Sequence, residues 1–109
     1  MEKYDFIVGV PCSHLKDFIE MIDNYIPCTR EDEAMALAIG AFLVGKHPLV
    51  YLQNSGLGNI TDIVTSLMIP YEIKIPIKIS IRDSPEHHAY MFSITKQLLE
   101  MLKLEYEEN

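Results

Sequence analysis

The sequence predicts an α/β fold: a three-layer, doubly wound parallel sheet with helices on both faces. Three observations predict it. Short apolar runs of strand length alternate with longer stretches whose apolar residues recur at helical spacing. The order is strand then helix, four times over, and strict alternation calls for parallel strands joined by crossover helices. At 109 residues the chain suits one domain, so 1–109 is expected to fold as a single unit.

The first strand is "DFIVGV" (5–10), ended by Pro11, which has no ladder donor. "SHLKDFIEMIDN" (13–24) puts Leu15, Phe18, Ile19 and Ile22 on one helical face, with Ser13 as the expected cap. "YIPC" reads as a short strand. A helix follows from about Arg30 to Val44. Thr29 and Asp32 fit its T-x-x-D start, and Gly45 its stop. "PLVYLQ" (48–53) is a strong strand that runs into the turn "NSGLGN". Gly56 and Gly58 there have two readings: unusual backbone angles, or a backbone that lets a ligand come close. "NITDIVTSLMI" is a helix stopped by Pro70. "KIPIKISI" alternates Ile75, Ile77, Ile79 and Ile81 with other residues, the mark of a strand exposed on one face. "RDSPEHH" is a loop, "AYMFSITKQLLEMLKL" an amphipathic helix and "EYEEN" a solvated tail.

Charge narrows the function. Lys and Arg number 9 against 16 Asp and Glu, a net charge of −7. That excludes a nucleic-acid backbone as the natural partner, and an anionic membrane surface with it. Cys12 and Cys28 are too few for a disulfide scaffold. No apolar run reaches the ~18 residues of a membrane span, and "MEKYDFIVGV" lacks a leader layout. A cytoplasmic protein with reduced thiols is expected.

Sites in doubly wound sheets lie beyond the carboxyl ends of the strands. Here those ends are "VPCS", "CTRE", "QNSGLGN" and "RDSPEHH". The stretch "CTREDEAMALAIGAFLVG" is the most informative. Glu31, Asp32 and Glu33 at a helix start gain about 0.3–1 kcal/mol each from the helix dipole. That accounts for acids in general. It does not account for the wholly uncharged stretch Ala34–Gly45 behind them. Such a helix is expected to be buried or to sit at a subunit interface, with at least one opening carboxylate shielded from water. Cys12 with His14, and His87 with His88, invite a thiol nucleophile or a metal. Their spacing fits no zinc module, so no metal site is expected on this chain. Cys28 reads as core.

"GVPCSHLKDFIE", "TREDEAMALAIGAFLVGKHPLVYLQNSGLGN" and "SPEHHAYMFSITKQLLEML" together resemble the pyrimidine-binding (PYR) domain of thiamine diphosphate enzymes. Within that superfamily they look like the sulfopyruvate and phosphonopyruvate decarboxylases. The E-x-x-A-x-A-x-A-x-G pattern from Glu31 to Gly40 and the segment "QNSGLGN" carry the likeness. The stretch from Arg82 to Pro85 is shorter than the family pattern.

The resemblance implies that Glu31 hydrogen-bonds the aminopyrimidine N1′ of thiamine diphosphate and moves the proton that activates the cofactor. Full burial raises a carboxyl's pKa by up to ~3–5 units, and a helix dipole lowers it by less than ~1. A dry setting is therefore the one that suits this proton exchange. The resemblance further implies that Gln53, Asn54, Ser55 and Gly56 line the cofactor cleft. Cys12, Ser13 and His14 would stand opposite, near the reacting carbon, and His87 and His88 would meet the substrate's second acidic group. It implies a lyase that releases carbon dioxide from sulfopyruvate, a step in coenzyme M synthesis, or from phosphonopyruvate.

Thiamine enzymes hold the diphosphate through Mg²⁺ on a G-D-G…N motif in a second, PP domain. No G-D-G occurs here. The chain is therefore expected to be the PYR half of an active site, with a PP-domain beta-type subunit as partner in a hetero-oligomer that holds the Mg²⁺. The rival expectation is a flavodoxin-like protein that binds a flavin or another phosphate ligand at "NSGLGN".

Overall fold

The computed structural model describes residues 3–109, so Met1 and Glu2, with which the leaderless N-terminal reading begins, lie outside it. Five parallel strands form one sheet in the order β2-β1-β3-β4-β5. They are β1 (Phe6–Gly9), β2 (Ile26–Pro27), β3 (Pro48–Gln53), β4 (Ile77–Ser80) and β5 (Tyr106–Glu108). Between them run α1 (Lys16–Glu20), α2 (Glu31–Leu43), α3 (Leu57–Ile63) and α4 (Ala89–Met101).

The sheet centre is buried because β1, β3 and β4 present apolar residues to covered faces. Val8 pairs with Val50, and Val50 with Ile77. Val8, Val50, Leu52, Ile77 and Ile79 meet Ala34, Met35, Ala38 and Ile39 of α2, Leu57 and Ile60 of α3, and Leu99 of α4. The opposite face carries Ile7, Leu49 and Tyr51 against Leu15, Phe18 and Ile19. Helices thus cover both faces as expected, three on one and the short α1 on the other. The chain leaves β1 toward β2, then returns to place β3 on β1's other side. That reversal opens a crevice between the carboxyl ends of β1 and β3.

Gly45 ends α2 as its sequence predicts. Its φ is +94°, its N–H donates to the Phe42 carbonyl at 3.0 Å, and the Lys46 N–H reaches Ala41 O at 3.0 Å. This is the Schellman pattern, which favours glycine. α3 continues into a wider π-helical turn, Val64–Met68, before Pro70.

Three expectations are corrected. The tail "EYEEN" is no solvated coil: Tyr106–Glu108 is the edge strand β5, paired with Ile77–Ile79. Its side chains are exposed, so composition concealed a pairing made by the backbone. The first helix is shorter than 13–24, because Ser13–Leu15 is a 3-10 turn and Ser13 caps nothing. Thr29 is not the cap of α2. Arg30 holds that position, and the Glu33 carboxylate reaches back to the Thr29 N–H at 3.4 Å. The helix α2, expected to be buried or to sit at a subunit interface, is buried along one side and carries exposed apolar residues on the other. Leu43 is 67% exposed and Val44 76%, with Leu37 and Phe42 also facing outward.

No helix among the described residues is long and apolar enough to cross a membrane.

Candidate active site

Two groups of side chains stand at the carboxyl end of the sheet. The first is acidic and belongs to the start of α2. Glu31 is partly buried, and the Asn59 amide donates to its Oε1 at 2.7 Å. Its carboxyl lies against the backbone of Gly56. A Cβ at position 56 would fall 2.6 Å from the Glu31 Cδ and Oε2, closer than atoms can pack. Gly56 has an ordinary helical φ of −79°. Of the two readings of this glycine, close approach is the one that applies, and what approaches is Glu31. Around Gly58 a Cβ would meet nothing.

The neighbouring acids have local partners. Asp32 takes a two-pronged contact from Arg30, Nε to Oδ1 at 3.0 Å and Nη2 to Oδ2 at 3.3 Å. The Arg30 hydrogen bond holds the Asp32 carboxyl below its usual range. Asp32 Oδ1 also accepts the Glu33 N–H at 2.9 Å, which satisfies one free donor of the helix start. Glu33 faces Cys28, whose thiol is pushed up first by burial and then by that carboxylate. Cys28 is core, as its sequence context predicts.

The second group is cationic and hangs on the end of β3. Gln53 is held at both ends of its amide. Its Nε2 donates to Ser55 Oγ at 2.6 Å, and its Oε1 accepts from Arg82 Nη1 at 3.2 Å. Asn54 is fully buried. Its Oδ1 accepts the Arg82 N–H at 2.9 Å, and its Nδ2 donates to the Arg82 carbonyl at 3.2 Å and to Thr95 Oγ1 at 3.0 Å. Asn54 therefore bears on the site through Arg82, whose backbone it clamps, and not through a free group. The His87 and His88 rings lie side by side, with centroids 4.1 Å apart and planes tilted by 43°. The proton affinity of His88 is lowered by desolvation first, then by His87, Arg82 and His14. His14 stands in the loop after β1. Its carbonyl accepts from Asn109 Nδ2 at 2.7 Å. Cys12 is partly buried, at the start of the 3-10 turn Ser13–Leu15.

The structure therefore brings Glu31 together with Gly56, and Gln53, Asn54 and Ser55 together with one another around Arg82. It adds Asn59, Arg82 and Thr95, which sequence reasoning missed. Asn59 closes the quoted "NSGLGN", and Arg82 opens "RDSPEHH", so both stood inside loops already marked. Their side chains went unread because neither has a sequence neighbour to pair with. Among the described residues, no group of three or more His, Cys, Asp or Glu gathers to hold a metal ion.

No family model matches the chain. It is 35% identical to the sulfopyruvate decarboxylase subunit alpha of Methanothermobacter thermautotrophicus over 111 residues, which covers 94% of this chain and 67% of that protein. It is 40% identical to the corresponding subunit of Methanocaldococcus jannaschii over 83 residues, 72% of this chain and 49% of that one. It is also 38% identical to the phosphonopyruvate decarboxylase of Streptomyces viridochromogenes over 111 residues, 92% of this chain and 28% of that one. The chain thus spans about two thirds of the first relative and less of the others. In fold it matches a 2-oxoglutarate:ferredoxin oxidoreductase from Magnetococcus marinus, with a TM-score of 0.61 at 11% identity over 97% of this chain and 26% of that one. At that identity the likeness is one of architecture alone. The sequence identity to the decarboxylase subunits runs through nearly the whole chain, and the chain belongs to the sulfopyruvate/phosphonopyruvate decarboxylase alpha-subunit family.

Proposed function

We propose that this chain is the pyrimidine-binding half, of alpha-subunit type, of a thiamine diphosphate-dependent decarboxylase acting on sulfopyruvate or phosphonopyruvate. The observation that carries the proposal is the seat of Glu31. One carboxylate oxygen is oriented by Asn59 and the other lies on the bare backbone of Gly56. Such a carboxyl is fixed in place, partly shielded, and able to hold a proton for an aminopyrimidine.

Thiamine diphosphate, when bound, supplies the electron sink for a departing carbon dioxide. The chain's own residues do the rest. Glu31 holds and moves the proton at N1′. Gln53, Asn54, Ser55 and Gly56 shape the cleft floor, with Asn54 acting by position. Cys12, Ser13 and His14 flank the crevice from the β1 side. His87 and His88 face the second acidic group of the substrate, since an imidazole gains a proton readily beside an anion. Mg²⁺ and the diphosphate belong to a PP-domain partner subunit. The outward apolar side of α2, through Leu37, Leu43 and Val44, fits a chain that works assembled.

The test is reconstitution. The chain is mixed with a G-D-G…N partner, thiamine diphosphate and Mg²⁺, and carbon dioxide release is followed from each substrate. Release that needs both chains supports the proposal, and preference between substrates decides the pathway, coenzyme M synthesis for sulfopyruvate. A flavodoxin-like protein shares the strand order seen here. Stoichiometric flavin uptake by the chain alone, with no turnover in the mixture, would replace the proposal.

A further inference from the structure

Arg82 carries a charge that the fold does not answer. It is half-buried, and no carboxylate among the described residues lies within ion-pair distance of it. Its Nη1 donates to the neutral amide of Gln53 at 3.2 Å. Its Nε is buried and has no hydrogen-bond partner. A stranded donor on a charged group is costly, and native structures rarely keep one without a use. The residue is also held in place: Asn54 clamps the Arg82 backbone N–H and carbonyl, Thr95 fixes Asn54, and Ser55 steadies the Gln53 amide that takes Nη1. With Nη1 engaged, the edge formed by Nε and Nη2 remains. That edge is the fork that takes two oxygens of a carboxylate, phosphonate or sulfonate.

We propose that Arg82 is the residue that recognises the tetrahedral oxyanion of the substrate, the phosphonate or sulfonate, through its Nε–Nη2 edge. This deepens the decarboxylase reading and rests on it for the substrate class. Gln53 and Asn54 are its positioning residues. An anion held by Arg82 lies at the carboxyl end of β4, on the same edge of the sheet as Glu31.

Methylphosphonate and methanesulfonate, titrated separately into the full chain, are the probes. Proton NMR of the four imidazoles gives the readout, and His47 is the internal control because it precedes β3, at the opposite end of the sheet from Arg82, with its backbone N–H held by Asp5. Saturable shifts are expected at His14, His87 and His88 and at the Arg82 Nε–H, with none at His47. An anion seated there also raises the pKa of His88. Arg82→Gln should weaken binding by roughly tenfold or more, the loss expected for a charge-assisted pair. Arg82→Lys keeps the charge but loses the paired edge, and should weaken it by less. Binding of both probes that is unchanged in the two variants, or absent from the wild-type chain, overturns the inference. The titration needs neither thiamine diphosphate nor a partner. Its failure is therefore separate from failure of the decarboxylase reading, which reconstitution decides.

Discussion

The carboxyl end of the sheet holds two poles of opposite sign, built in different ways. The acidic pole rests on regular structure. Glu31 opens a thirteen-residue helix, and its seat is the backbone at the start of the next helix. The cationic pole rests on side-chain hydrogen bonds. Arg82 follows a four-residue strand and is held by the amides of Gln53 and Asn54. The contrast teaches that the two have different weaknesses. The acidic pole is sensitive to volume, because its geometry is backbone against carboxyl. The cationic pole is sensitive to polarity, because each of its contacts is a directional hydrogen bond.

The largest effect tests whether the acidic pole is chemical at all. In the reconstituted enzyme, Glu31→Gln should lower the decarboxylation rate by roughly 10²–10⁴-fold, the range of a lost proton-transfer group, with the fold unchanged by circular dichroism. A near-normal rate would remove Glu31 from the chemistry and leave only the other pole.

Gly56→Ala probes volume. The added methyl meets the Glu31 carboxyl, so turnover should fall by about 10²-fold, the cost of a displacement on the order of 1 Å, while overpacking lowers stability by about 1–3 kcal/mol. A crystal structure with Glu31 unmoved would show that the seat is looser than its geometry.

Polarity is probed by Asn54→Ala. It strands the Arg82 N–H and carbonyl, and should lower unfolding free energy by about 1–3 kcal/mol in urea titration. Oxyanion binding should weaken in parallel. If it does not, Arg82 does not depend on its clamp and the contrast between the poles fails.

The smallest effect belongs to Asp32, one residue from Glu31. Its pKa is lowered in the folded chain by the Arg30 hydrogen bond, so the ionised form is the one that stabilises. That contribution is present above the ordinary value of 3.8 and is lost as pH falls through the lower folded value. Asp32→Asn should lower the melting temperature slightly at neutral pH. The gap to the wild-type chain should close below pH 3.8. Activity should stay the same. A large loss of turnover would make the acidic pole a cluster and not a single carboxyl.

Much of the fold was legible because its signals are local. "PLVYLQ" became β3 with its predicted bounds, and Gly45 stopped α2 where a left-handed residue was needed. β5 was illegible because Tyr106, Glu107 and Glu108 expose their side chains and pair only through the backbone. The same divide runs through the site. The acids Glu31, Asp32 and Glu33 declared themselves by standing before an uncharged helix, and the family resemblance picked out Glu31 among them. Arg82 did not, because its meaning depends on Gln53 and Asn54, 29 and 28 positions away. Long-range hydrogen bonds leave no period or spacing to read.

Gly56 and Glu31 occupy one volume between them, so they should vary as a pair among related chains. Aspartate at 31 would make room for alanine at 56. A relative with a large residue at 56 has no room for the long acid, however well the rest of its alignment scores, and is expected to lack the proton transfer proposed for Glu31.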